Sequence, residues 1–470
     1  MESSDLKHRI ISEKTFFHYL KCPNWIYHKA HTDEEKMIQP LQEQLIDDGL
    51  LIEKQREVLG DRLDLIEIEI EDPEKAFEET LKAMREGHQT IFHGALLYGH
   101  LIGHPDILEK VEGKSRLGDY YYVAADIKRS RTLRNDYKFQ GCFYAELLEQ
   151  IQGIKPLQGY IMTPDRVLLS YLIESFETSY KLTLHEIERI LAGDKPAHFL
   201  TSGCKQSPWF SICKEESQLY SDLSLLNHIW REEIALFKKC GIESVRDLAT
   251  YSDAKIKKQC PFFEKERLFW LRDQAKALTS GEYIIKQAIF FKESSVELYF
   301  DIESDPLRDF DYLFGLLVNQ KNKLKYHGFI AKKPEEEAKM WYTFIKCIES
   351  FPDAPIYHYG WFEREVIHRF SMRYETPESV KHSLEENMID LLNLIRPAVI
   401  FPLSFYSLKD IATYLGFKWQ HLEVAGSNSI FYFENYLETH KKKYLEEILA
   451  YNEEDVRATF HLKQWLSKHT

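Results

Sequence analysis

Tyr299-Phe300-Asp301-Ile302-Glu303-Ser304-Asp305 is the stretch whose reading decides the fold of the chain's last third. It continues an alternating apolar run, Ser295-Val296-Glu297-Leu298-Tyr299-Phe300, so the spacing predicts a strand that delivers two carboxylates at i and i+2. Residues two apart on a strand share a face, and Asp301 and Glu303 can therefore reach one ion together. Hard cations such as Mg²⁺ or Mn²⁺ take oxygen ligands, which a pair of carboxylates on a rigid strand supplies. A lone Asp-x-Glu is more often a solvated strand end, so the surrounding sequence has to give it meaning.

Downstream, Tyr312-Leu313-Phe314-Gly315-Leu316-Leu317-Val318 and the turn-like Asn319-Gln320-Lys321-Asn322 predict a hairpin partner for that strand. Pro355-Ile356-Tyr357-His358-Tyr359-Gly360-Trp361-Phe362-Glu363 reads as a short strand opening into a helix that carries Glu363. Residues 444–466 have helical apolar spacing, which puts Tyr451 and Asp455, at i and i+4, on one face.

The order Asp301, Glu303, Glu363, Asp455 with Tyr451 resembles the DEDD exonucleases of the ribonuclease H-like fold, in the subgroup with tyrosine before the last aspartate. The resemblance covers roughly residues 290–470. It implies two divalent ions clamping the attacking water and the leaving oxygen of a phosphodiester, with Asp301, Glu303, Glu363 and Asp455 as metal-site acids and Tyr451 orienting the water. Glu363 stands where the family usually has aspartate, which moves that carboxylate outward by roughly one C–C bond, about 1.5 Å.

The chain's 470 residues are enough for two to three domains, and 44% hydrophobic and 14% aromatic residues describe a globular protein rather than a disordered one. No apolar run is long enough to span a bilayer and the first residues show no signal-peptide pattern, so a cytoplasmic protein without a membrane partner is expected. A formal net charge of −14 excludes a protein that is basic all over. It does not exclude nucleic acid, because metal-site carboxylates count as charge while a bound metal reverses their local field.

Toward the amino terminus, 11–23 predicts a helix ending near Pro23, and 41–59 another helix that carries Glu53. Gly103-His104-Pro105-Asp106-Ile107-Leu108 precedes a turn at Gly118-Asp119 and a strand over 120–128 that contains Asp126-Ile127-Lys128. A helix with Gln140 and Tyr144 on one face follows. Asp-x-Lys alone usually marks a solvated edge. The set in this order resembles the RecB-like form of the PD-(D/E)xK nuclease core, over roughly residues 8–200. That resemblance implies Asp106 and Asp126 as metal ligands with Glu53 contributing from its helix. Lys128 would polarise phosphate or water, and Gln140 and Tyr144 would form the family's helical Gln-x-x-x-Tyr. Arg129, Arg131, Arg134 and Lys138, just past Lys128, read either as a phosphate track or as a solvated loop.

Seven scattered cysteines do not make a disulfide framework. Some RecB-like nucleases hold an iron–sulfur cluster through one early cysteine and a later Cys-x-x-Cys-x5-Cys. The resemblance assigns those places to Cys22, Cys204 and Cys213, with Ser207 where a thiolate belongs. Three thiolates instead of the usual four lead us to expect a labile or missing [4Fe–4S] centre.

Between the ends, 215–285 is charged and helical, with Leu219, Leu223, Leu226, Ile229 and Trp230 suggesting a buried helix face. Residues 239–249 resemble a helix-hairpin-helix segment, Gly241 permitting the turn and Ser244 capping a helix, and read equally as a plain helical linker. A strand is expected over 283–291, and Asp390 reads as a structural cap or ion-pair residue. The expected fold is a multidomain α/β protein. A PD-(D/E)xK restriction-endonuclease-like core occupies 1–214, a helical middle region 215–285, and a ribonuclease H-like mixed-sheet domain 286–470. The expected activity is metal-dependent hydrolysis of nucleic acid at two sites, DNA favoured over RNA. The alternatives are a nucleic-acid-binding scaffold with decayed sites, or an RNA-directed 3′-5′ exonuclease. Helicase or repair partners are not legible in the sequence.

Overall fold

A computed structural model describes residues 10–32, 52–60, 64–128, 133–163, 166–305, 310–421 and 427–470. They form a mixed α/β chain of two compact units, Met1–Ser211 and Ile212–Pro306 with Phe310–Thr470. In the first, a six-stranded mixed sheet is built around the antiparallel pair Ile107–Ser115 and Gly118–Ile127. The helix Asn135–Gln152 packs on it through Phe143, Tyr144, Leu147 and Leu148, all buried. A smaller sheet sets Ile11–Ser12 parallel to Leu101–Gly103. Pro23 opens the helix Pro23–His31 at a position where its missing N–H costs nothing, directly after the helix Glu13–Lys21.

The second unit is organised on the strand Val296–Asp305, which is antiparallel to Phe310–Gln320 as the apolar alternation predicts. Phe310–Gln320 turns back into Lys323–Ile330 through Lys321 and Asn322, whose φ values of 51° and 59° suit a two-residue hairpin turn. On the other side Ile356–His358 and Met388–Asp390 add in parallel, completing a five-stranded mixed sheet. One face buries Phe300, Phe314, Trp341, Phe344 and Phe370. The other takes the terminal helix Lys442–His469, which lays Val456, Leu462 and Leu466 against Tyr299, Leu317 and Tyr357 with helical periodicity.

Two glycines set how closely that helix approaches. Asp301 pairs across the ladder with Gly315, and Gly315 with Gly328. A Cβ at Gly315 would lie 1.6 Å from Asn452 Oδ1, and one at Gly328 would lie 2.6 Å from Leu449 Cδ2. The row Asp301–Gly315–Gly328 is thus a groove in the sheet surface into which the helix settles.

The helical stretch belongs to this unit, with Asn227 Nδ2 donating to Ser404 O at 3.0 Å and Tyr414 Oη to Gly281 O at 3.1 Å. Two expectations there need correction. Leu219 and Trp230 are exposed, because the run is broken at Asp222, which caps a short 3-10 turn over Leu223–Leu225; Leu223, Leu226 and Ile229 are buried. The strand expected over 283–291 is only Ile284–Ile285, because its partner Val399–Ile400 is equally short and the ladder ends with it. Gly241 has φ 74° and Ser244 caps Val245–Ala249 by accepting from Asp247 N.

Gly315→Ala forces the helix off the sheet. A loss of about 1–3 kcal/mol, the usual scale of overpacking, is expected in urea unfolding, together with weakened divalent-ion binding at Asp301. An unchanged midpoint would show that the helix does not need this groove.

Candidate metal centre

The terminal helix packs beside the carboxyl half of the strand Val296–Asp305. There, Asp301, Glu303 and Asp455 each place a carboxylate oxygen within 4.8 Å of the others. Among the described residues this is the one group of three or more metal-capable side chains so gathered. Glu303 is buried, while Asp301 and Asp455 keep partial exposure, so the group opens to solvent at one side. Of the acidic run on the helix, Asp455 alone joins it. Glu453 pairs with Arg457, and Glu454 accepts the backbone N–H groups of Gln420 and His421 at 2.8 and 2.9 Å.

The supports include residues that sequence reasoning missed. Asn452, fully buried in the space left by Gly315, donates through Nδ2 to Asp301 Oδ2 at 2.8 Å and accepts from Tyr326 Oη at 2.8 Å. Ser429 Oγ, itself an acceptor from Tyr312 Oη at 2.9 Å, donates to Glu303 Oε2 at 2.8 Å. Asn452 also bonds to Glu303, so one buried amide ties the two strand carboxylates together. Tyr451, one turn before Asp455, hydrogen-bonds to its carboxylate.

Loss of hydration, followed by the charges of Asp455, Glu303 and Glu363, holds Asp301 well above the usual carboxylate range. Asp455 is raised by the same desolvation and by Glu303, and burial pushes Glu303 up to about 7 against the donor bonds of Ser429 and Asn452. The oxygen-only donor set suits a hard divalent cation, which would replace mutual repulsion with coordination. Glu363 is the exception. It opens the helix Phe362–Arg373 and its charge is felt by Asp301, yet it stands outside the group of three. Its Oε2 lies 3.6 Å from Nδ1 of His358, a residue with no solvent exposure. Asp390 is a helix cap, accepting from Gly360, Leu392 and Asn393 N–H groups.

In the first unit, Asp106 and Asp126 meet across the antiparallel pair. Asp126 Oδ1 accepts Asp106 N–H at 3.2 Å, and Asp106 Oδ2 accepts Ile127 N–H at 2.7 Å. Lys128 Nζ stands 3.3 Å from Asp126 Oδ2. Gln140 Nε2 donates to Tyr144 Oη at 2.9 Å, which donates to His104 O at 3.2 Å. Desolvation and the neighbouring Asp126 push Asp106 up to about 7, and desolvation raises Asp126 against the pull of Lys128. Glu53 lies in the helix Ile52–Leu59, with its side chain outside the described residues. That helix instead sends Gln55 Nε2 to Asp106 Oδ1 at 3.2 Å. Arg129 and Arg131 are also outside the described residues, Arg134 pairs with Asp136 at 2.6 Å, and Lys138 lies over the Phe176 ring.

Cys22 and Cys204 come together with their Sγ atoms 3.7 Å apart, and the Cys22 thiol pulls Cys204 down to about 5. Ser207 Oγ accepts Trp209 N–H at 3.2 Å, and Cys213 is buried in the helix Phe210–Tyr220.

Residues 298–467 match the family model of the RNase_H superfamily. The matched region runs from the central strand through the terminal helix and holds all three gathered carboxylates, so the second unit carries a nuclease-type fold. No curated protein matches the chain. The first unit lies outside the matched residues, so this comparison bears on the second unit alone. Among the described residues, no helix is long and apolar enough to cross a membrane.

For Glu303, a folded-state value of about 7 against an ordinary 4.5 means its contribution to stability is full below pH 4.5 and lost as pH rises through 7. Metal-free Glu303→Gln should therefore melt above the parent at pH 8 and alongside it at pH 4.5. The difference is on the order of 3 kcal/mol at most, and saturating Mg²⁺ should reverse it. Parallel melting curves at both pH values would show that Glu303 carries no such burden.

Proposed function

We propose that this chain is a metal-dependent nuclease whose carboxyl-terminal domain, residues 286–470, hydrolyses phosphodiesters at Asp301, Glu303 and Asp455. The observation that carries this reading is the convergence of three carboxylates within 4.8 Å, each on a rigid element, inside the region matching the RNase_H superfamily. Divalent ions held there would polarise the phosphate and lower the pKa of an attacking water. Asn452 and Ser429, bonded to Asp301 and Glu303, would fix the ligand oxygens beforehand, and Tyr451, bonded to Asp455, would orient the water. The DEDD arrangement with tyrosine is the specific form proposed, Glu363 acting from the edge of the group. DNA, as single strands or ends, is the favoured substrate.

A second, RecB-like metal site at Asp106, Asp126 and Lys128 is proposed for the amino-terminal domain, residues 1–214, supported by the carboxylate pair and by the Gln140–Tyr144 bond beside it. The helix-hairpin-helix segment at 239–249 is proposed to grip nucleic-acid backbone. A rival reading, a nucleic-acid-binding scaffold with a decayed carboxyl-terminal site, draws on the placement of Glu363 beside His358 rather than within the group of three.

The deciding assay uses end-labelled single- and double-stranded DNA and RNA with Mg²⁺, Mn²⁺ or EDTA. Degradation should require metal, and activity surviving thorough chelation would end the account. Asp301→Asn should lower end-directed degradation by orders of magnitude, while Asp126→Asn should remove a separate activity. Intact cleavage in Asp301→Asn with complete loss in Asp126→Asn would establish the scaffold reading for the carboxyl-terminal domain. Protein prepared without oxygen should hold well under a stoichiometric [4Fe–4S] cluster; full visible absorbance of such a centre would show that a further ligand completes Cys22, Cys204 and Cys213.

A further inference from the structure

A cavity of about 470 Å³ lies at the carboxyl ends of the parallel strands Ile356–His358 and Met388–Asp390, and His358 and Asp390 both line it. The two residues are partners in the ladder, and Asp390 Oδ1 accepts the Gly360 N–H at 2.9 Å, tying the turn after one strand to the end of the other. Crevices at such strand ends are where open α/β sheets hold ligands, and the volume is that of a small-molecule site. Alternation fixes the face. Ile356 packs in the cluster of Phe300 and Phe370, and Tyr357 in that of Tyr299 and Val456. His358 therefore points with Ile356, to the face away from the terminal helix and Asp301.

His358 has no solvent exposure, and neither ring nitrogen has a hydrogen-bond partner among the described residues. Its Nδ1 is 3.6 Å from Glu363 Oε2, too far for a hydrogen bond. Packing alone would be served by an apolar side chain, because a buried imidazole without a partner costs free energy. Two further lining residues carry complementary chemistry. Arg364 donates to the Glu385 carbonyl at 3.2 Å, and its guanidinium has no carboxylate partner among the described residues. Trp361, 72% exposed, offers an indole face. Of the lining carboxylates, Glu365 stands 3.5 Å from Arg369 and Asp390 takes backbone N–H groups, which leaves exposed Glu385 against Arg364 and Lys381. Between His358 and Trp361, Gly360 has φ 104°, and a Cβ there would meet nothing within 4 Å. The helix Phe362–Arg373 then opens with N–H groups that lack intrahelical acceptors.

We propose that this cavity binds a nucleoside monophosphate, with the phosphate on Arg364, the base against Trp361 and a hydrogen bond to His358. An aromatic surface beside an unpaired guanidinium is what a base and a phosphate together require. The choice of a nucleotide among phosphorylated ligands rests on the nuclease reading, but the site shares no residue with Asp301, Glu303 and Asp455.

The test uses the full chain carrying Asp301→Asn and Asp455→Asn in EDTA, so that the metal centre is silent, and follows deoxyadenosine monophosphate, adenosine and inorganic phosphate by calorimetry. The nucleotide should bind more tightly than either fragment. Trp361→Ala and Arg364→Ala, both at exposed positions, should each weaken it at least about tenfold. His358→Leu should weaken it without lowering the melting temperature, because an unpartnered imidazole is removed. Displacement of the nucleotide by a short single strand assigns the site to a strand end, and failure to displace it assigns the site to the free nucleotide; either result supports the pocket. No binding at millimolar nucleotide, or an affinity that neither Trp361→Ala nor Arg364→Ala changes, overturns the proposal. Equal affinity for adenosine and the nucleotide overturns it too, since the phosphate then has no contact. Binding is read with the metal centre disabled, so failure of the nuclease reading in the end-labelled assay and failure of this site are separate results.

Discussion

The terminal helix of the second unit can reach the sheet only where side chains are missing, and the row Asp301–Gly315–Gly328 supplies that gap. Asn452 fills the space above Gly315, and from there its amide reaches Asp301 on one side and Tyr326 on the other. Asp455, one turn further along, is set opposite Asp301 and Glu303 by the same seating. Farther along, Lys463 on the helix pairs with Glu297 on the central strand, whose Oε2 also accepts from Tyr299 and Asn319. Helix depth is set at one point by absent methyl groups and at the other by a buried ion pair, the kind whose breakage costs about 3–5 kcal/mol. The spacing of the carboxylates follows from those two fixings.

Strand alternation made the Asp-x-Glu strand and its hairpin partner legible, and i,i+4 spacing brought Tyr451 and Asp455 to one helix face. Both are local periodicities, which a sequence carries directly. Asn452 was illegible because its role depends on Gly315, a residue on another element, and no local pattern records that an amide fills a missing Cβ. Ser429 reaches Glu303 from a helix whose amphipathic pattern marks nothing about it. Glu363 was legible as a helix-opening acid, but not its partner His358, which reads as an ordinary strand residue. Gln55, near Glu53 on the same helix, meets Asp106 although a neutral amide gave no reason to single it out. The family resemblance assigned Cys22, Cys204 and Cys213 to cluster positions, and the structure sets the Cys22 and Cys204 thiols 3.7 Å apart. Asp390 was read as a cap or ion-pair residue, and it caps the helix Leu391–Ala398.

Several acids of low exposure among the described residues have partners of their own, which sets them apart from the gathered three. Asp311 receives Ser304 and Arg369, Glu337 receives Arg373 and Tyr374, Glu297 receives Lys463, and Glu454 and Asp390 receive backbone N–H groups. Each of these carboxylates has a cation or several donors of its own where it lies, which is what a carboxylate held by the fold alone needs. Asp301, Glu303 and Asp455 instead turn toward one another, and their donors, Asn452, Ser429 and Tyr451, are neutral groups that orient without cancelling charge. Lys128 supplies partial compensation beside Asp126 in the first unit, yet Asp106 is still raised to about 7. What remains is a concentration of negative charge at Asp301, Glu303 and Asp455, and an oxygen-only donor set of this kind suits a hard cation.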